Sequence, residues 1–150
     1  MIRYRLDDLG WYQFEWLCQS LLKTQFGLGV EAWGGHADLG RDAYCEGDLP
    51  ISARTVLTEG PFLFQAKFVE EANAAGSAPF PALKNSVLAE CSSIKLRFDS
   101  RGMERIRNYV LITNAPVTPH QRKEIAAILA RVIPNCRVFI WGGADLCAML

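Results

Sequence analysis

Two hydrophobic periods run along this chain, and the points where one gives way to the other mark its elements. Between Asp7 and Leu22, the apolar positions Phe14, Leu17, Cys18, Leu21 and Leu22 recur at helical spacing and predict a helix with an acidic first turn. Glu15 falls beside that buried stripe. Gly27 and Gly29 end the helix, Leu28–Trp33 reads as a first strand, Gly34-Gly35 turns the chain, and Arg41–Cys45 begins a second strand. Residues 46–60, with Asp48, Pro50 and Gly60, read as a ragged hairpin connection. Phe62–Phe68 is the third strand, and the small residues from Glu70 to Pro79 form a mobile loop without periodicity. A helix over Pro81–Phe98 is expected to bury Leu83, Val87, Leu88, Cys91, Ile94 and Phe98. Tyr109–Thr113 is a strongly apolar strand. Pro119–Ile133 is a helix capped by Thr118 with proline at its first position, and Arg137–Trp141 is the last strand. The order α-β-β-β-α-β-α-β predicts an α/β fold with a mixed central sheet flanked by helices, antiparallel among its early strands and parallel among its later ones. There is no internal repeat and no sign of a second domain.

The third strand breaks its own pattern. Alternation puts Phe62, Phe64, Ala66 and Phe68 on one face and Leu63, Gln65 and Lys67 on the other. A lysine in an apolar strand calls for anionic company. The upstream candidate is the glycine-rich stretch Gly34-Gly-His-Ala-Asp-Leu-Gly-Arg-Asp42. Carboxylate, amide and lysine offered by neighbouring strands are the parts of a metal-dependent phosphodiesterase site.

Charge sharpens this reading. The formal net charge is zero, which excludes a generally basic nucleic-acid binder, yet residues 1–50 hold 4 basic and 8 acidic side chains while residues 51–150 hold 12 and 8. Lys95, Arg97, Arg101, Arg105 and Arg107 stand against only Asp99 and Glu104, a cluster able to meet phosphates or simply to form a solvated face. The five cysteines are scattered without a C-x-x-C pair, which argues against a zinc site or a disulfide framework and fits a reducing cytosol. No run approaches the roughly 18 apolar residues of a membrane span, and the first residues lack the apolar segment of a signal peptide. The turn at Gly142-Gly143 opens a helix that stops on Met149-Leu150 without a polar finish, as expected of the N-terminal part of a longer chain.

Phe14-Glu15 in a first helix, Asp38-Leu-Gly-Arg-Asp42, Gln65-Ala-Lys67 on a following strand, and Val110-Leu-Ile-Thr-Asn114 ahead of a helix occur in this order over nearly the whole chain. In these features the chain resembles the restriction-endonuclease-like (PD-(D/E)XK) nucleases, in particular their Mrr-like branch. The resemblance implies a restriction-endonuclease-like fold and a Mg²⁺-dependent endodeoxyribonuclease in which Mn²⁺ can substitute. Asp42, Gln65 and Glu15 would hold the metal, and Lys67 would orient the attacking water or meet the developing charge. Two departures stand out: Arg41 replaces the proline of the name motif, and Gln65 replaces its acidic residue. The Mrr-like branch commonly carries this glutamine, and the lost charge favours a single Mg²⁺ assisted by Glu15. Double-stranded DNA would be gripped by the 95–107 cluster, together with Arg122 and Lys123, with low sequence specificity.

By the same resemblance, the domain is expected to be the effector of a larger antiviral defence protein of the STAND type, switched on by homo-oligomerisation through regions outside this chain. The rival readings are the catalytic domain of a modification-dependent restriction enzyme and a catalytically inactive nuclease-like module for DNA binding or assembly. Several residues have plainer readings. Asp38 shapes a turn, His36 and His120 are surface histidines, and Trp11, Trp16, Trp33 and Trp141 are expected to pack in the core.

Overall fold

The computed structural model describes residues 4–27, 29–33, 42–53, 55–100 and 106–150, and at 32, 33, 42, 52, 53, 97, 99 and 100 it describes the backbone alone. A 3₁₀ turn over Leu6–Leu9 leads into α1 (Gly10–Phe26). Strands β1 (Val30–Trp33), β2 (Asp42–Cys45), β3 (Leu49–Ala53), β4 (Val56–Thr58) and β5 (Phe62–Lys67) follow. Then come α2 (Pro79–Ser100), β6 (Asn108–Thr113), α3 (Pro119–Val132), β7 (Arg137–Trp141) and α4 (Gly143–Met149).

The main sheet has the order β1-β2-β5-β6-β7. Pairing is antiparallel from β1 through β2 to β5 and parallel from β5 through β6 to β7, as the connection lengths require. β5 is therefore the central strand, and every residue in it is buried. Its alternation sorts the core into two layers. Phe62, Phe64 and Ala66 meet Phe14, Cys18, Leu21 and Leu22 of α1 on one face. Leu63 joins Leu83, Val87 and Ile94 of α2 and Ile125 and Leu129 of α3 on the other. Thr118 caps α3 in a reciprocal capping box with Gln121, as the Thr-Pro start predicts.

Several expectations need correction. The stretch 46–60 is a separate two-stranded antiparallel sheet of β3 and β4, with Val56 and Leu57 exposed near its turn. Residues 70–78 are a run of turns with internal bonds rather than a structureless loop: Ala74 N–H donates to Glu71 O (3.0 Å) and Ser77 N–H to Ala74 O (3.1 Å). The Asn73 amide also reaches the Asp7 carboxylate (3.0 Å). Leu88 is 48 % exposed and Cys91 only half-buried, because the core-facing stripe of α2 runs through Leu83, Val87, Ile94 and Phe98. Leu17 is likewise half-buried. Trp11 and Trp16 are exposed by 57 % and 58 % instead of packing in the core. Trp16 is turned about 200° around the helix from the buried Phe14. Trp141 packs as expected, against Phe26 and Phe64.

Candidate functional site

Strand register brings the predicted motif residues to one edge of the sheet. Asp42 is the cross-strand partner of Gln65, and Lys67 follows at the C-terminal end of the same central strand. The strand pairs in parallel with β6 up to Lys67 opposite Thr113. Beyond that point Asn114 continues the ladder with its side chain. Val69 N–H donates to Asn114 Oδ1 (2.7 Å), and Asn114 Nδ2 donates to Val69 O (2.8 Å). The Thr-Asn ending of β6 thus has a physical role: it fixes the backbone directly after Lys67. The Asp38 and His36 readings lie outside the described residues.

Gln65 and Lys67 are both buried, at 4 % and 5 % exposure, and both are partnered. The Tyr109 hydroxyl donates to Gln65 Oε1 from the neighbouring strand. Lys67 Nζ forms an ion pair with the carboxylate of Glu90 on α2, whose side chain is 31 % exposed. The anionic company that the lysine requires therefore comes from the crossover helix, a residue that the sequence reading did not single out. One signal was available. Leu83, Val87, Glu90, Ile94 and Phe98 follow one another at spacings of three and four, so Glu90 occupies a core-facing position where an apolar side chain belongs.

A cleft of about 200 Å³ opens at this end of β5. Lys67, Ser86 and Glu90 line one side, and Trp11 and Glu15 of α1 line the other, with Ala66 and Phe68 between them. Glu15 of α1 and Glu90 of α2 thus reach one space although their helices pack in different core layers. Gln65 is not part of the cleft wall; it lies one step behind, held by Tyr109.

A hard cation such as Mg²⁺ requires oxygen ligands, mostly carboxylates and waters. The described side chains offer Glu15 and Glu90 around the cleft, and the Gln65 carbonyl already accepts a bond from Tyr109. Among the described residues no group of three or more His, Cys, Asp or Glu side chains gathers to hold an ion. A full ligand set at this edge would therefore need oxygen donors beyond these two carboxylates.

The described members of the basic cluster, Lys95 and Arg107, sit elsewhere. Arg107 immediately precedes β6, and its N–H donates to Pro61 O, at the opposite end of the sheet. Six residues of strand at roughly 3.3 Å each put it about 20 Å from the cleft edge. Lys95 is exposed on α2, about 7.5 Å along the helix axis from Glu90 and farther from the cleft. Arg97 is described in its backbone alone, and Arg101 and Arg105 lie outside the described residues. Arg122 is committed to internal structure: it donates to Ile140 O (2.8 Å) and pairs with Asp145 (2.8 Å), tying α3 to the start of α4. Lys123 and His120 are exposed.

The cysteines are all free, and burial raises the thiols of Cys18 and Cys136, the latter to about 11. No helix among the described residues is long and apolar enough to cross a membrane. No family model, curated protein sequence or solved structure matches this chain.

Proposed function

We propose that the chain is a metal-dependent endodeoxyribonuclease domain with the restriction-endonuclease-like fold, of the Mrr-like branch. The observation that carries this reading is Lys67: a lysine buried on the central strand of the sheet, at the wall of a polar cleft, with Glu15 across from it and Asp42 in register two residues back. An ammonium so placed can meet the negative charge that builds on a phosphorus centre during hydrolysis. Mg²⁺, held by Asp42 and Glu15, would supply Lewis-acid stabilisation and a more acidic water. Gln65, held by Tyr109, keeps the strand edge polar next to Asp42 without adding charge. DNA touching both the cleft and Arg107 would have to run for about 20 Å along the molecule, a distance of about six base pairs. We further propose that the domain serves as an effector whose activity rises on oligomerisation, which would offset the weak DNA affinity of a chain with zero net charge.

The test is cleavage of supercoiled plasmid with Mg²⁺ or Mn²⁺, by the free chain and by a fusion to an oligomerising partner. Lys67→Ala and Asp42→Ala are each expected to slow cleavage by about 10²–10³-fold at matched folding. One observation favours a second reading, that of a catalytically inactive DNA-binding or assembly module. Gln65 and Lys67 are both satisfied by side chains of the protein itself. Absence of cleavage in either format, with no Mg²⁺-induced rise in Tm, would select that reading.

A further inference from the structure

We propose that Glu90 is the positioning residue for Lys67, an inference that rests on the nuclease reading above. A lysine side chain loses much rotamer entropy when it is fixed, so an ammonium that must meet a substrate oxygen at one point gains from being held there beforehand. Glu90 provides that hold. It occupies the apolar stripe of α2 between Val87 and Ile94, where burial alone would select leucine or isoleucine, and it ion-pairs with Lys67 Nζ. The two side chains differ in environment. The side chain of Lys67 is 6 % exposed whereas that of Glu90 is 31 % exposed, so the lysine is the more enclosed of two residues that border the cleft. The ammonium is thereby held at the cleft wall beside a carboxylate that borders the same cleft. Incoming phosphate approaches a cation that is already oriented. α2 is also the crossover between β5 and β6, so the charge on the strand and the charge on the helix are aligned by the same packing of Leu83, Val87 and Ile94 that builds the core.

The experiment compares the wild type with Glu90→Gln, Glu90→Asp and Lys67→Ala. It reads two quantities: the ¹⁵N resonance of the Lys67 ammonium, and the single-turnover rate of plasmid cleavage in the oligomerised format. DNA affinity is measured separately with Ca²⁺ replacing Mg²⁺. The wild type is expected to show a slowly exchanging ammonium signal that Lys67→Ala removes and Glu90→Gln broadens beyond detection. Glu90→Gln should lower the cleavage rate by about 10- to 100-fold with DNA affinity unchanged, and Glu90→Asp should recover part of the loss. A Glu90→Gln variant that keeps both the ammonium signal and the rate overturns the proposal. So does one that cleaves faster than wild type, since Glu90 would then restrain the lysine instead of presenting it. Failure of the wild type to cleave in any format is a different result: it removes the nuclease reading and, with it, the catalytic purpose of the pair.

Discussion

Strands β5 and β6 lie side by side at the centre of the sheet, are equally long and are buried at every position, yet they use their polar residues in opposite ways. In β6, Asn108 and Thr113 satisfy the backbone, while Tyr109 reaches across to Gln65. Asn108 Nδ2 donates to Glu59 O (2.6 Å) and Pro61 O (3.1 Å), and Thr113 Oγ1 accepts from Ala115 N–H (3.2 Å). Asn114, just past the strand end, clamps Val69. In β5, Gln65 and Lys67 meet side chains, and Lys67 ends at a cleft that it shares with two carboxylates. Burial therefore does not separate a site from a scaffold. On the proposed reading the partner does: a buried polar group bonded to main chain holds the fold, whereas one paired with a half-exposed carboxylate at a cleft would keep a charge available for chemistry.

The sharpest way to break this contrast is to remove the clamp. Asn114→Ala leaves a buried N–H and a buried carbonyl of Val69 without their partners. It should cost about 2–6 kcal/mol in urea unfolding, since each orphaned group costs about 1–3 kcal/mol. A loss below 1 kcal/mol on that scale would show that the β6 group is not structural.

Next in size is Glu90→Ala, which strips a nearly enclosed lysine of its carboxylate and should destabilise by about 3 kcal/mol. Lys67→Met should change stability by less than about 1 kcal/mol, because the carboxylate left behind is already partly in water and the new side chain is apolar. That asymmetry would mark a lysine that the fold itself does not require. A loss from Lys67→Met as large as that from Glu90→Ala would instead make the pair a structural strut.

Smaller effects bear on the chain leaving β5 and the chain entering β6. The Asn73 amide, in the turns after β5, holds the Asp7 carboxyl below its ordinary value of 3.8. A folded-state value below the unfolded one stabilises above the unfolded value and is lost as pH falls through the folded one. Asn73→Ala should therefore remove a small stability increment at pH 5–7 and leave stability near pH 2 unchanged, as read from Tm against pH. The smallest effect concerns Cys136, whose thiol donates to Ile106 O (3.0 Å) just before β6 and is raised to about 11 by burial. It should resist alkylation at pH 8 in the folded protein and react on unfolding; rapid labelling of the native chain would show that this entry to β6 opens readily.

Much of the fold was legible in the sequence, because period and punctuation act locally. The alternation in Phe62–Lys67, the Thr118-Pro119 start of α3 and the glycine break at Gly27 each specify backbone geometry within a few residues. The β3–β4 sheet was less legible, since its short strands carry no strict alternation around Pro50 and Arg54. The exposure of Trp11, Trp16 and Leu88 was not visible, because residue type alone does not say which helical face meets the sheet.

For the site, the sequence by itself determined that β5 carries Gln65 and Lys67 on one face and that Lys67 needs an anion. Alternation and the cost of burying charge are properties of a single strand. The tertiary structure alone decided which anion it is, that Tyr109 takes the Gln65 carbonyl, that Glu15 reaches the cleft from the other layer, and that Arg107 stands at the far end of the sheet. Such pairings depend on the strand register and on the seating of α2, and these are set by the packing of residues distant in the chain.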